Sequence, residues 1–169
     1  MGLIGFGKAA NEVAKRLTAF GMKIVFYDPY IEESKHEATK VDLDYLLQTS
    51  DVISIHVNKT KETQNLIDSE ALNMIKEGGI IVNTSRGGII DEKSLFELVD
   101  DKKIIFGGLD VYEKEPPVVG DFFSSSNIVT TPHLGASTKE AQLKAGKQTA
   151  ENVKDILNGD LSSVINYLK

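Results

Sequence analysis

The sequence predicts an α/β protein in which a parallel sheet of about seven strands carries helices on both faces. Two observations support this fold class. Short apolar runs rich in β-branched residues alternate along the whole chain with segments whose apolar residues recur at helical spacing. Turn and capping residues separate these segments, and the 169 residues contain no internal repeat or linker. We therefore expect a three-layer, doubly wound fold in a single domain, residues 1–169.

The first elements are a strand, a glycine turn and a helix. The turn is Gly5-Phe6-Gly7, and the helix after it ends at Gly21. A second strand covers residues 23–27 and stops at Asp28-Pro29. Residues 31–40 are polar and predict a loop or one poor helical turn.

Strands and helices continue to alternate through the rest of the chain. Apolar runs predict four more strands, over residues 51–57, 80–82, 104–109 and 128–130. Capping residues predict the helix starts between them, at Asp42, at Asp68 or Ser69, and at Asp91. The prolines within residues 113–117 predict an irregular segment. Ser137 and Glu140 form a capping box for a long last helix, with four apolar residues expected to face inward: Ala141, Ala145, Val153 and Ile156.

Composition excludes several classes of function. The net charge of −6 gives no electrostatic basis for binding nucleic acid or an anionic membrane. Cysteine is absent, which excludes disulfides, thiolate catalysis and cysteine-based zinc sites, and we expect no metal. No stretch has the length and apolar character of a membrane span. A cytoplasmic protein is the expectation.

Most of the chemically capable side chains follow directly after predicted strands. In an open parallel sheet, ligands bind outside the carboxyl ends of the strands, near the point where the strand order reverses. All these side chains should therefore lie at one edge of the sheet. They are residues 5–9, Asp28, His56 with Asn58, Thr84-Ser85-Arg86, Asp110, and Pro132-His133.

The glycine turn and Asp28 together predict a dinucleotide site. Gly5 and Gly7 would let backbone N–H groups approach a pyrophosphate at a helix start, although the third glycine of this motif is replaced by Ala10. Asp28 lies 21 positions after Gly7, where a carboxylate can accept hydrogen bonds from the adenosine ribose and repel a 2′-phosphate. This favours NAD over NADP. The alternative interpretation of Asp28 is an Asp-Pro turn.

Three further side chains at this edge suggest acid–base chemistry on a carboxylate substrate. Arg86 follows a buried strand and could bind a carboxylate through two hydrogen bonds, or it could form a salt bridge with a neighbouring helix. His133 lies in a tight connection and has either a catalytic or a structural role. Either Glu113 or Glu115 could orient an imidazole.

The chain resembles the nucleotide-binding domain of the D-isomer-specific 2-hydroxyacid dehydrogenases, a family with the Rossmann fold. The matching segments cover nearly the whole length, and the last three are highly specific. They are residues 5–10, 26–29, 51–57, 81–87, 109–116 and 131–138.

The resemblance assigns roles to individual residues. Arg86 would bind the substrate carboxylate and polarise the keto group, His133 would exchange the hydroxyl proton, and Glu115, rather than Glu113, would pair with His133. Asp110 would hold the nicotinamide end of NAD. The remaining positions that match cofactor contacts are Gly5, Gly7, Lys8, Ala9, Asp28, His56, Val57, Thr84, Ser85, Gly135 and Ala136, and Arg86 and His133 also count among them.

The resemblance also implies a substrate and a longer protein. Within the family, the match favours members that oxidise D-3-phosphoglycerate to 3-phosphohydroxypyruvate in serine biosynthesis. Family members carry a second, substrate domain, so we expect a truncation before Met1 and a full-length protein that forms a homo-oligomer. The isolated domain is expected to bind NAD(H) and to turn over a 2-hydroxy or 2-keto acid poorly. The alternatives are an NAD-sensing corepressor module, a glyoxylate or hydroxypyruvate reductase, and a D-lactate dehydrogenase.

Overall fold

The structure is a computed structural model that describes residues 1–34, 36–101, 103–117 and 125–162. The chain divides into two compact units, Met1–Pro132 and His133–Lys169. The expectation of a single domain over residues 1–169 stays a prediction.

The first unit alternates strands and helices as the sequence predicts. Its elements are β1 (Gly2–Ile4), α1 (Lys8–Thr18), β2 (Ile24–Tyr27), β3 (Ala38–Lys40), α2 (Leu43–Thr49), β4 (Val52–Ile55), α3 (Ser69–Met74), β5 (Gly79–Asn83), α4 (Glu92–Asp100), β6 (Ile104–Leu109) and β7 (Ile128–Thr130). The second unit contains α5 (Lys139–Leu157). Among the described helices, none combines the length and the apolar character needed to cross a bilayer.

The seven strands form one sheet in the order β3-β2-β1-β4-β5-β6-β7, and every neighbouring pair is parallel. Strands β2 and β3 lie on one side of β1, and strands β4 to β7 lie on the other side. The strand order therefore reverses between β1 and β4, and this is where an open α/β sheet offers a ligand crevice.

Helices cover both faces of this sheet because successive apolar side chains along a strand point to opposite faces. In β1, Leu3 packs on α1 in one core cluster, and the next residue, Ile4, belongs to a second cluster on the opposite face. Buried side chains of α2, α3 and α4, such as Leu46, Leu72 and Leu95, contribute to that second cluster. The predicted doubly wound α/β fold is confirmed.

Three local predictions were wrong. Residues 38–40 form the edge strand β3, since Ala38 to Lys40 pair with Ile24 to Phe26 of β2. The last helix is capped by Thr138, whose hydroxyl accepts the Ala141 N–H at 3.1 Å, and not by Ser137. None of the described residues of α5 is buried, because the described part of the second unit has no other helix or strand for them to pack against.

Candidate functional site

A cleft of about 340 Å³ opens where the strand order reverses. Its lining comes from the residues that follow β1, β2 and β4. Five of the residues predicted to bind cofactor line it, namely Gly5, Gly7, Asp28, His56 and Val57. The sequence analysis predicted that residues following successive strands would lie together at one edge of the sheet, and this is correct for the residues that line the cleft.

The glycine turn packs closely against the loop after β4. Gly5 has φ of +86° and donates its N–H to the Tyr27 carbonyl at 2.8 Å. A Cβ at Gly5 would lie 2.7 Å from Cγ1 of Val57 and 2.9 Å from the backbone carbon of His56. Only glycine fits this conformation and this contact. A Cβ at Gly7, by contrast, would meet no atom within 4 Å.

Phe6 anchors the turn between the two glycines. Its side chain is buried and stacks on Phe26 of β2, with the ring centroids 4.0 Å apart. Its carbonyl accepts a hydrogen bond from the Asn11 side chain at 2.9 Å. The turn is thus tied to β2 on one side and to α1 on the other, which fixes the helix start beside the cleft.

Asp28 connects the glycine turn to its own loop. Its Oδ2 accepts the Phe6 N–H at 2.8 Å, and its Oδ1 accepts the N–H groups of Tyr30 and Ile31 at 2.8 and 3.1 Å. The Asp-Pro turn therefore exists, and the same carboxylate also lines the cleft. The two interpretations of Asp28 are compatible.

His56 forms the wall of the cleft at the end of β4. Its N–H donates to the Ile4 carbonyl at 2.7 Å, and its Nε2 lies 3.0 Å from the Ser54 hydroxyl. Burial lowers the pKa of the imidazole below its ordinary value. Burial therefore favours the neutral form of the His56 imidazole.

Asn83, which the sequence-based prediction missed, shapes the loop that carries Arg86. Asn83 is 2% exposed, and its Oδ1 accepts the Ser85 N–H at 3.0 Å and the Ser85 hydroxyl at 2.9 Å. Its Nδ2 donates to the Arg86 carbonyl at 2.9 Å. A polar residue at the end of an apolar strand was the available signal.

The Arg86 side chain is exposed, and its Nη1 donates to the Ser85 carbonyl at 2.6 Å. Four ion pairs join Arg16 with Glu12, Lys40 with Glu32, Lys76 with Asp51, and Lys93 with Glu97. Arg86 belongs to none of these four. The alternative interpretation, a salt bridge to a neighbouring helix, thus has no support among the described residues.

Asp110 follows β6 and is 5% exposed. Its N–H donates to the Asn83 carbonyl at 3.0 Å, and one carboxylate oxygen accepts the Thr131 hydroxyl. Thr131, a second residue that the prediction missed, thereby links the ends of β6 and β7. A buried carboxylate held in this way has a fixed orientation.

The segment after Asp110 carries Glu115 and lies against the Arg86 loop. Tyr112 is buried and donates its hydroxyl to the Thr131 carbonyl at 2.8 Å, and burial raises the pKa of this phenol. Oε1 of the exposed Glu115 accepts the Tyr112 N–H at 3.1 Å. A Cβ at Gly87 would lie 1.7 Å from the Tyr112 carbonyl oxygen, so the two segments are in direct backbone contact.

The other predicted residues lie in exposed positions. Lys8 and Ala9 form the first turn of α1, and Thr84 precedes Ser85 in the Arg86 loop. His133, Gly135 and Ala136 belong to the second unit. His133 has φ of +55°, and the turn that follows is closed by the Ser137 N–H, which donates to the Leu134 carbonyl at 2.9 Å.

A glycine turn at a helix start, a carboxylate after β2 and a cleft at the strand reversal define a dinucleotide-binding domain of the Rossmann type. The chain belongs to the D-isomer specific 2-hydroxyacid dehydrogenases, because the model of that family's NAD binding domain matches residues 1–135. Both the predicted family and NAD as the cofactor are confirmed.

Individual relatives differ in substrate. The chain is 49% identical to a hydroxypyruvate reductase of Thermotoga maritima over 156 residues, which are 90% of this chain and 51% of that protein. It is 43% identical to a D-3-phosphoglycerate dehydrogenase of Methanocaldococcus jannaschii over 171 residues, 98% of this chain and 33% of the relative. The chain thus spans about half the length of the first relative and about a third of the second.

Solved structures show the same fold. The D-lactate dehydrogenase from Aquifex aeolicus, complexed with NAD and lactic acid, matches with a TM-score of 0.85 and 31% identity. The match covers 96% of this chain and 54% of that one.

Proposed function

We propose that this chain is the cofactor-binding domain of an NAD-dependent dehydrogenase that acts on D-3-phosphoglycerate. The observation that carries the cofactor half of the proposal is the Asp28 carboxylate, which lines the cleft and is oriented by three backbone N–H groups. A carboxylate at this place accepts hydrogen bonds from ribose hydroxyls and repels the 2′-phosphate of NADP.

The residues around the cleft fit the dinucleotide. Gly7 leaves open space at the N-terminus of α1, where N–H groups and the helix dipole favour a pyrophosphate. Lys8 and Ala9 would donate their N–H groups there. His56, Val57, Thr84, Ser85, Gly135 and Ala136 would complete the contacts, and the buried Asp110 would hold the nicotinamide end.

The catalytic roles are proposed from the family's pattern. NAD supplies the hydride acceptor when it is bound. Arg86 would bind the substrate carboxylate through its guanidinium, and its exposed position leaves that group accessible. A ring nitrogen of His133 would take the proton from the substrate hydroxyl, and the Glu115 carboxylate would orient that imidazole.

The relatives favour phosphoglycerate as the substrate but leave a second candidate. D-3-phosphoglycerate dehydrogenases of several archaea and bacteria are 42–44% identical to the chain. The 49% identity to a hydroxypyruvate reductase favours hydroxypyruvate as the second candidate. A corepressor that only senses NAD is disfavoured, because such a module would have no use for Arg86, Glu115 and His133 together.

Two measurements test the proposal. Calorimetry on the 169-residue chain should show NAD binding at least about tenfold tighter than NADP binding, and equal or tighter NADP binding would refute the role of Asp28. The full-length protein should reduce NAD with D-3-phosphoglycerate. Turnover of hydroxypyruvate alone would select the reductase, and no turnover of either acid would favour the sensor. The isolated chain should turn over poorly, because the near-attack geometry is not enforced without domain closure.

A further inference from the structure

Two contacts, which we call the loop brace, join the region after β5, made of the Arg86 loop and the start of α4, to the segment that carries Glu115. The first contact is the close approach of Gly87 to the Tyr112 carbonyl. The second is a short hydrogen bond, in which the Glu113 N–H donates to Oε1 of Glu92. Together the two contacts tie the segment after β5 to the segment after β6.

Glu92 reaches the second loop from a rigid position. It is the first residue of α4, directly after the N-cap Asp91, whose Oδ1 accepts the Ser94 N–H at 3.1 Å. The backbone of Glu92 is therefore fixed by a capped helix. The Glu113 N–H that it accepts lies two residues before Glu115 in the chain.

The surroundings of Glu92 disfavour the charged form of its carboxylate. The side chain is half-buried, and this burial raises the pKa of Glu92. The charges of Glu113 and Glu115 raise it further, while the Glu113 N–H and Lys59 act in the opposite direction. The bond from the Glu113 N–H is therefore the contact that compensates the Glu92 carboxylate for this desolvation and repulsion.

We infer that Glu92 is a positioning residue that holds the Glu115 segment in a fixed place relative to Arg86. The inference rests on the proposed roles of Arg86 and Glu115 in the reaction. A misplacement of catalytic groups by about 1 Å is enough to lower turnover about a hundredfold. The hydrogen bond from Glu113 needs only an acceptor at Glu92, so an amide oxygen should replace the carboxylate.

The test compares three variants of the full-length protein. Glu92→Ala removes the acceptor, and Glu92→Gln keeps an acceptor but removes the charge. Glu97→Gln is the matched control, because Glu97 lies on the same helix, is exposed and pairs only loosely with Lys93, at 3.9 Å. Each variant is assayed for kcat and KM with D-3-phosphoglycerate and NAD, for the pH profile of kcat, and for exchange of the Glu113 amide hydrogen.

We expect Glu92→Ala to lower kcat by at least about tenfold, with the KM for NAD unchanged, and to accelerate Glu113 amide exchange by at least about tenfold. Glu92→Gln should restore both quantities to within about threefold of the wild type, with an unshifted pH profile. Glu97→Gln should change neither. If the charge of Glu92 were what mattered, Glu92→Gln would not restore kcat or the exchange rate.

Three results would overturn the inference. The first is normal kcat in Glu92→Ala despite faster exchange, and the second is loss of kcat or a shifted pH profile in Glu92→Gln despite normal exchange. The third is a wild-type protein that oxidises no 2-hydroxy acid, which removes the reaction that Glu92 would serve. In that case the exchange rates still report whether the loop brace exists, so failure of the proposed function is distinguishable from failure of the brace.

Discussion

The two glycines of the first turn should respond in opposite ways to the same substitution. Gly5 has φ of +86° and lies against the backbone of His56, whereas Gly7 has φ of −73° and no neighbour within 4 Å of a Cβ. Gly5→Ala should therefore damage the fold. Gly7→Ala should leave the fold intact and damage NAD binding instead.

The magnitudes follow from the local geometry. An alanine at positive φ costs roughly 1–2 kcal/mol, and forcing a methyl group into a packed contact costs about 1–3 kcal/mol more. The free energy of unfolding of Gly5→Ala should thus fall by about 2–5 kcal/mol, a large share of the total for a domain. At Gly7 the conformation suits alanine, but Gly7 is the N-cap of α1, where alanine is disfavoured, so the entropic gain of about 0.4–1 kcal/mol is offset and the free energy of unfolding should stay within about 1 kcal/mol of the wild type. The added methyl group would fill the space needed by the pyrophosphate, so affinity for NAD should fall at least about tenfold.

Urea unfolding of both variants, followed by calorimetry with NAD, checks this pair of expectations. Equal midpoints for Gly5→Ala and the wild type would refute the packing argument at Gly5. NAD affinity at the wild-type level in Gly7→Ala would refute the placement of the pyrophosphate. Each variant is the other's control, because the chemical change is identical and the two positions are two residues apart.

Two further predictions concern pH and capping. Burial lowers the pKa of His56, so the folded state resists its protonation. Above about pH 6.5 this effect costs the folded state nothing. As the pH falls from there through the lowered pKa, the free energy of unfolding should decrease, because the unfolded state binds the proton more readily than the folded state. His56→Gln should lose less stability than the wild type between pH 7.5 and pH 5 in urea titrations. Asp91→Ala should reduce the free energy of unfolding by about 0.5–2 kcal/mol at pH 7, because Asp91 accepts the N–H and hydroxyl hydrogen bonds of Ser94. The Ser94 N–H bond lowers the pKa of Asp91, so this difference should shrink as the pH falls below about 4, and thermal melts at pH 7 and pH 3 test it.

The sheet and the position of the cleft could be predicted because both depend on local patterns. Buried strands such as β5 appear as short apolar runs, and parallel strands bring their carboxyl ends to one edge whatever the order in which they pair. Gly5, Asp28 and His56 could therefore be assigned to one site before any contact was known. The strand order itself was needed only to show which gap between strands holds the cleft.

The features that escaped prediction depend either on partners far away in the sequence or on the exact path of the backbone. β3 is three residues of ordinary polarity, Ala38 to Lys40, and becomes a strand only because the exposed edge of β2 accepts it. Asn83 and Glu92 look like common surface residues in the sequence. Their roles come from the N–H and carbonyl groups of loops whose paths the sequence pattern does not determine. The choice of Thr138 over Ser137 as a cap likewise depends on backbone angles at a single residue.

Asp28 leads to one last prediction, because its hydrogen-bonding capacity is limited. An ionised carboxylate has about four acceptor positions, and three of them already hold the N–H groups of Phe6, Tyr30 and Ile31. A ribose that donates both hydroxyls to Asp28 therefore displaces at least one of these N–H groups. The N–H groups of Tyr30 and Ile31 are solvent-exposed, whereas Phe6 is buried, so we expect the Oδ1 bonds to yield and the Phe6 bond to stay.

Amide chemical shifts and exchange rates of these three residues, measured with and without NAD, distinguish the cases. The expected result is a change at Tyr30 or Ile31 with Phe6 still protected. Asp28→Asn should abolish that change and lower the preference for NAD over NADP at least about tenfold, since the amide cannot serve as acceptor on both sides. Three unchanged amides alongside tight binding of NAD would show that the ribose is recognised elsewhere. The Asp28 carboxylate would then serve only to stabilise the turn.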